Sequence, residues 1–249
     1  MANIVLTRSE KKNAFTDKTI TDLTDLFELL HANQNIRGLI LSSEGTHFSA
    51  GADLNWMKQT AKYTYKENKE DAYRLSHMLY LLYSSPFPTL CLCQGPALGG
   101  GLGLIASCDL SVVTQSSWFM FSEAKLGLIP ATISPFIINR IGSIKAKRYF
   151  ITCEKINSEK AQNIGLIDEI VPSESDLEQF KQKWIHMILN NSPESIRKGK
   201  ELVNRISNSI ITDENMNISV DMLTDIRQGK KAQEGISAFF EKRKPNWNI

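Results

Sequence analysis

The segment at residues 94–106, QGPALGGGLGLIA, constrains the fold more than any other stretch of this chain. Gly99, Gly100 and Gly101 have no side chains to pack, and ordering three consecutive glycines costs backbone entropy. A chain places glycines this way where its backbone turns sharply or comes close to something else. An apolar run at residues 88–93 leads in, and residues 102–108 lead out with helical character. The order is therefore strand, glycine turn, helix. Two readings stand: a tight connection with nothing bound, or a helix N-terminus whose free N–H groups face negative charge.

A chain of 249 residues is long enough for one large domain, or a domain with an appendage. Hydrophobic residues at 42% and charged residues at 22% place it among ordinary globular proteins. A net charge of +2 is too small to argue for nucleic acid as a partner. No apolar stretch is long enough to predict a membrane span, and MANIVLTRSEKK does not read as a signal peptide. Cys91, Cys93, Cys108 and Cys153 lack the CxxC spacing of a zinc or redox motif, so they read as reduced thiols. A cytoplasmic protein without a metal is the expectation.

Residues 3–7 predict a short strand, and Thr16 or Asp17 can cap the helix that follows. Ile20, Leu23, Phe27 and Leu30 recur at helical spacing and give that helix an apolar face. Residues 38–42 predict a buried strand; FSAGAD at 48–53 then precedes a helix opening at 54–57. Residues 58–70, rich in lysine, tyrosine and glutamate, read as a solvated segment. Leu75, Met78, Leu79 and Leu82 mark a further helix, ended by Pro86 and Pro88. Strands are predicted at 90–93, 109–113 and 166–171, and helices at 144–151 and from a Ser158 cap to Gly165. Everything from Leu177 onward reads as helix, with Ser192-Pro193-Glu194 as one start signal and Ile236, Phe239 and Phe240 on the last segment. This order favours an α/β fold with parallel strands and an all-helical tail, without any fixed-period sequence repeat.

Familiar nucleotide motifs fail on detail. A dinucleotide fingerprint needs glycine at position 104, where Leu104 stands, and no GK[ST] follows the glycines. HFSAG at 47–51 lacks the first glycine of a nucleophile elbow. His31, His77 and His186 show no ligand-like spacing. Two small-residue loops remain, AGAD at 50–53 and LGGG at 98–101. Each can offer one backbone N–H to an oxygen, and two such donors converging form an oxyanion hole. Glu123 lies in FMFSEAKLGLIP, a mostly apolar segment. Partial burial there disfavours its ionised form and suits it to proton transfer near neutrality; read alone, it is equally an exposed or capping glutamate.

Four motifs in order, FSAGADLNWM, GPALGGGLGL, FSEAKLGLIP and the terminal QEGISAFFEKRKPNW, resemble the crotonase family of enoyl-CoA hydratases and isomerases. The resemblance spans nearly the whole chain. It implies a spiral of ββα turns, with residues 1–190 as the core carrying an acyl-CoA site. Residues 191–249 would then be a C-terminal helical region that assembles trimers, often paired into hexamers. Carried over by position, the N–H groups of Ala52 and Gly100 hold the thioester oxygen and Glu123 handles the proton. Ser49, Ala50, Asp53, Leu54, Gly99 and Pro130 are implied to lie along the substrate. Coenzyme A is part of that substrate, and the family needs no separate cofactor. The SEAKLGLIPATISPF and KRYF runs further resemble bacterial methylglutaconyl-CoA hydratases of leucine breakdown.

Two departures keep the reaction open. The first hydratase carboxylate usually stands two residues after the glycine triplet, where this chain has Gly103. Ala131 replaces a glycine often found after the Ile-Pro of the later motif. Gly103 fits the methylglutaconyl-CoA hydratase-like subgroup, yet a lone glutamate also fits a Δ3,Δ2-enoyl-CoA isomerase, or an acyl-CoA-binding member without turnover. The family pattern also enters late, before LTRSEKKNAF, so the first ββα turn is expected to be short of a strand.

Overall fold

A computed structural model gives the architecture, and the structure describes residues 1–207 and 210–247. The chain divides into two compact units, residues 1–85 with 89–181, and residues 86–88 with 182–249.

The first unit is built by one move made repeatedly. A strand of a parallel sheet is followed by a shorter extended stretch in a second layer, and then by a helix. Strand β1 (Ala2–Leu6) leads to Phe15 and helix α1 (Asp17–Ala32); β2 (Leu39–Ser43) leads to Ala52, α2 (Leu54–Thr60) and α3 (Tyr65–Tyr83). Strand β3 (Thr89–Cys93) leads to β4 (Ala97–Leu98) and α4 (Gly100–Ser107). Strand β5 (Leu110–Thr114) leads to β6 (Trp118–Met120) and a 3-10 turn, Glu123–Leu126. Helices α5 (Ser134–Ile141) and α6 (Ser143–Thr152), strand β7 (Ile156–Asn157), helix α7 (Ser158–Asn163) and strand β8 (Glu169–Val171) complete it.

The main sheet has the order β1-β2-β3-β5-β8 and is parallel throughout. In the second layer β4 pairs in parallel with β6, and β6 pairs antiparallel with β7. Isolated parallel bridges, Phe15 to Ala52 and Ser49 to Ala97, extend that layer past the named strands. The spiral of ββα turns is thus present, although strands beginning at 39, 89 and 110 leave no sequence period to detect.

Burial follows from this layering. Every residue of β3 is buried, as a central parallel strand covered on both faces must be. Strand β1 lies at a sheet edge and alternates, with Ile4 and Leu6 in the core and Val5 exposed. Cys91, Cys93, Cys108 and Cys153 are free and buried. Thr16 caps α1 by accepting from the Thr19 N–H, and Ile20, Leu23 and Phe27 form its buried stripe.

Several elements differ from the sequence reading. The solvated segment at 58–70 is exposed but helical over part of its length: Thr64 and Glu67 form a capping box, so α3 starts at Tyr65, ten residues before its apolar stripe begins at Leu75. Asn157, not Ser158, caps α7; the Ser158 hydroxyl donates instead to the Gln115 carbonyl at 2.8 Å. Only residues 169–171 of the stretch 166–171 pair as strand, while Leu166 and Ile167 are buried in the connection. Helix α5 and strands β4, β6 and β7 are too short or too irregular in pattern to stand out in the sequence.

In the second unit the chain, entering along helix α8 (Glu174–Asn190), forms α9 (Pro193–Ile206), α10 (Asp213–Gln228) and α11 (Lys230–Phe240). Ser192 caps α9 with Pro193 in its first turn, as the start signal predicts. The helical reading fails beyond residue 240, where Arg243 pairs with Glu234 and the Trp247 indole donates to the Asn190 carbonyl at 2.9 Å. Residues 208–209 and 248–249, also covered by that reading, lie outside the described residues. No described helix is long and apolar enough to cross a membrane.

Candidate active site

The glycine turn and the AGAD loop are held side by side by backbone bonds. Phe15 N–H donates to the Gly51 carbonyl at 2.7 Å, Asp53 N–H to the Phe15 carbonyl at 2.8 Å, and Leu98 N–H to the Ser49 carbonyl at 2.9 Å. Ala50 N–H donates to the Lys12 carbonyl, Gly51 N–H to the Ser49 hydroxyl, and Gly99 N–H to the Met120 carbonyl. Ala52 and Gly100 break this rule: among the described residues neither N–H has a protein acceptor. Gly100 is the first residue of α4, where helix geometry leaves N–H groups unpaired.

The two loops approach closely because of their glycines. Gly51 has φ +84° and Gly99 has φ +48°, conformations that residues with a side chain rarely adopt. A methyl group on Gly51 would lie 3.0 Å from the Leu98 carbonyl oxygen and 3.8 Å from the Gly100 nitrogen. One on Gly99 would lie 3.3 Å from Glu123 Oε1. Two unpaired donors and one carboxylate therefore meet around bare backbone.

They open into a cavity of about 470 Å³. Ala50, Ala52, Leu54, Gly99, Gly100, Glu123 and Pro130 all line it, so most of the predicted site residues come together. Ser49 and Asp53 are not among its lining. Ser49 is fully buried, its hydroxyl donating to the Asn13 carbonyl at 2.9 Å, and Asp53 caps α2 by accepting from the Asn55 N–H at 2.8 Å. Both shape the loop from behind. Exposed Leu54, Leu126 and Ile129 give the cavity an apolar edge.

Glu123 projects from the 3-10 turn, with Gly127 closing that turn in the left-handed region. Its Oε2 is buried without a hydrogen-bond partner. Burial pushes the Glu123 carboxyl above the ordinary glutamate range, against the nearby N–H groups of Glu123 and Ser122. Such a group is suited to accept a proton and give it back.

The position of the missing carboxylate is not empty space. A Cβ at Gly103 would lie 2.7 Å from Ile133 Cγ2 and 2.8 Å from Leu79 Cδ1. Apolar side chains occupy the volume in which a second acid would stand. Asp71, which the sequence reading passed over, also lines the cavity, along with Trp56 and Leu75. Its signal was the spacing of Asp71, Leu75 and Leu79, one stripe of a helix at i, i+4, i+8. Among the described residues no cluster of three His, Cys, Asp or Glu side chains is placed to hold a metal.

The sequence profile of the enoyl-CoA hydratase/isomerase family matches residues 1–249. The chain belongs to this crotonase family. A crystal structure of an enoyl-CoA hydratase from Shewanella pealeana is 38% identical, with TM-score 0.94, covering 98% of this chain and 91% of that one. An enoyl-CoA isomerase/hydratase of Mycosarcoma maydis is 30% identical over 98% of this chain and 90% of its own length. An enoyl-CoA hydratase of Alternaria alternata is 29% identical over 97% of this chain and 78% of its own. Crotonase-family membership thus fits the spiral, the converging loops and the acid beside them.

Proposed function

We propose that the protein reversibly adds water to a 2-enoyl-CoA, with Glu123 as the proton carrier. The observation that carries this is one desolvated carboxylate beside two unpaired N–H donors, Ala52 and Gly100, in a cavity with apolar walls. The Glu123 carboxylate takes a proton from water as the water oxygen bonds to the β-carbon. The double-bond electrons move toward the thioester, and the enolate oxygen is held by the two N–H groups. Amide donors need no protonation state, so they are ready for charge wherever it develops. Glu123 then returns the proton to the α-carbon. One carboxylate suffices because it ends the cycle as it began.

A second reading, Δ3,Δ2-enoyl-CoA isomerisation, is favoured by the filling of the space off Gly103 by Ile133 and Leu79. Glu123 would then move a proton from the α-carbon to the γ-carbon through a dienolate whose oxygen the same two N–H groups hold. Incubation with crotonyl-CoA, methylglutaconyl-CoA and 3-hexenoyl-CoA separates the two by the enoyl-thioester absorbance. Hydration lowers it and isomerisation raises it; no change with any of them would sink both readings.

The helical region, in this proposal, assembles homotrimers or pairs of them. Helices α9 and α10 have no buried residue, and Val220, Leu223, Phe239 and Phe240 are exposed on α10 and α11. Apolar faces of this kind are what subunit interfaces cover. Light scattering should give a trimer or hexamer mass, and a monomer would refute it.

A further inference from the structure

The acyl chain itself is still open between a plain 2-enoyl group and the carboxylated methylglutaconyl group. The geometry points to Asp71 as a specificity-determining residue that excludes acyl chains ending in a carboxylate, making the substrate an uncharged 2-enoyl-CoA. This rests on the acyl-CoA reading of the cavity.

The placement follows from α3. Leu79 abuts the volume off Gly103. Leu75 and Asp71 continue the same stripe along the cavity wall. Eight residues of helix rise about 12 Å between Asp71 and Leu79, so Asp71 does not stand in the volume off Gly103 where the first hydratase carboxylate would be. It faces a more distant part of the ligand, and the stripe leads there from the acyl side.

Asp71 presents charge at that point. Its side chain is 13% exposed, and Arg74 donates to it at 3.0 Å while also pairing with Asp17. One cation between two acids leaves the trio with a net negative charge. Burial raises the Asp71 carboxyl above the ordinary aspartate range, with the Arg74 charge opposing this and the Asp17 charge adding to it. The buried indole N–H of Trp56 lies near enough to favour the ionised carboxylate, yet it completes no hydrogen bond of ordinary geometry. Among the described residues Lys125 is the one cation in the cavity lining; its Nζ lies 3.5 Å from Met120 Sδ. A carboxylate carried to the end of this stripe would meet an acid whose neighbouring cation, Arg74, is already shared with Asp17.

The test uses valeryl-CoA and glutaryl-CoA, saturated thioesters of equal acyl length that differ by the terminal carboxylate and need no turnover. Binding to the full-length protein should favour valeryl-CoA by about tenfold. In Asp71→Asn and Asp71→Ser the preference should shrink to about twofold, as like-charge repulsion is removed in both. The ratio of affinities is the readout, since a purely structural loss would weaken both ligands together. Equal or tighter binding of glutaryl-CoA by the unaltered protein, through Lys125 or otherwise, overturns the proposal. So does a preference that survives in both variants. If neither thioester binds, the acyl-CoA reading of the cavity itself is wrong and this inference falls with it.

Discussion

The cavity has two walls made in different ways. The loop wall is backbone: Ala52 and Gly100 offer N–H groups fixed by bridges from Phe15 to Ala52 and Ser49 to Ala97. The helix wall is side chains: Asp71 and Leu75 on α3 line it, with Ile133 at the start of α5, and Leu79 packs behind them against the volume off Gly103. Backbone donors cannot be exchanged without refolding the loop, whereas a helix face changes one residue at a time. On the proposed reading, the type of reaction sits in the loop wall with Glu123, and the choice of acyl chain in the helix wall.

The sharpest way to break this division is Glu123→Gln. If the reaction belongs to the loops and this acid, turnover should fall about a thousandfold, while binding of a saturated acyl-CoA stays within about threefold. Steady-state rates and equilibrium binding on the same preparation decide it. Turnover near the unaltered rate would move the proton transfer away from Glu123 and break the division.

Gly103→Glu asks whether the helix wall can be given the loop wall's task. An added Cβ there already lies within 3 Å of Ile133 and Leu79, so a full carboxylate would be forced among methyl groups. Destabilisation of about 3 kcal/mol is expected in denaturant unfolding, without any gain in hydration. A stable variant with faster water addition would show that the apolar plug is mobile, and that the two walls are less distinct than drawn.

The same division explains what the sequence made legible. Glycines announce backbone geometry, so Gly99 to Gly101 and the AGAD run marked the two loops, and the family resemblance named Ala52 and Gly100 within them. Glu123 stood out because an acid in an apolar segment is unusual. Asp71 was hidden for the opposite reason. It sits among lysines, glutamates and tyrosines, where an acid has the look of a solvated face, and only the capping box at Thr64 and Glu67 shows that the helix already runs there. Ser49 and Asp53 were placed along the substrate by the family resemblance; membership of the loop did not distinguish a lining residue from one that holds the lining in place. Short elements such as β4 and β6 exist only because the spiral offers them partners, which local pattern does not encode.

The smallest predicted effect concerns stability, and it again separates the walls. Glu123 is held above its ordinary range by burial, so the folded protein binds that proton more tightly than the unfolded chain does. Its contribution to stability is therefore present at low pH and lost as pH rises through the folded-state value. Above that value, the ionised group costs folding energy because Oε2 has no partner. Glu123→Gln should thus raise the urea midpoint slightly at neutral pH, and this gain should vanish as pH falls through the Glu123 titration. Asp71→Asn should gain less, since Arg74 pairs with the charge it removes. Unfolding curves at several pH values give both comparisons. A neutral-pH loss of stability in Glu123→Gln would mean that the carboxylate is paired in solution, and hence that it is not the free proton carrier the loop wall requires.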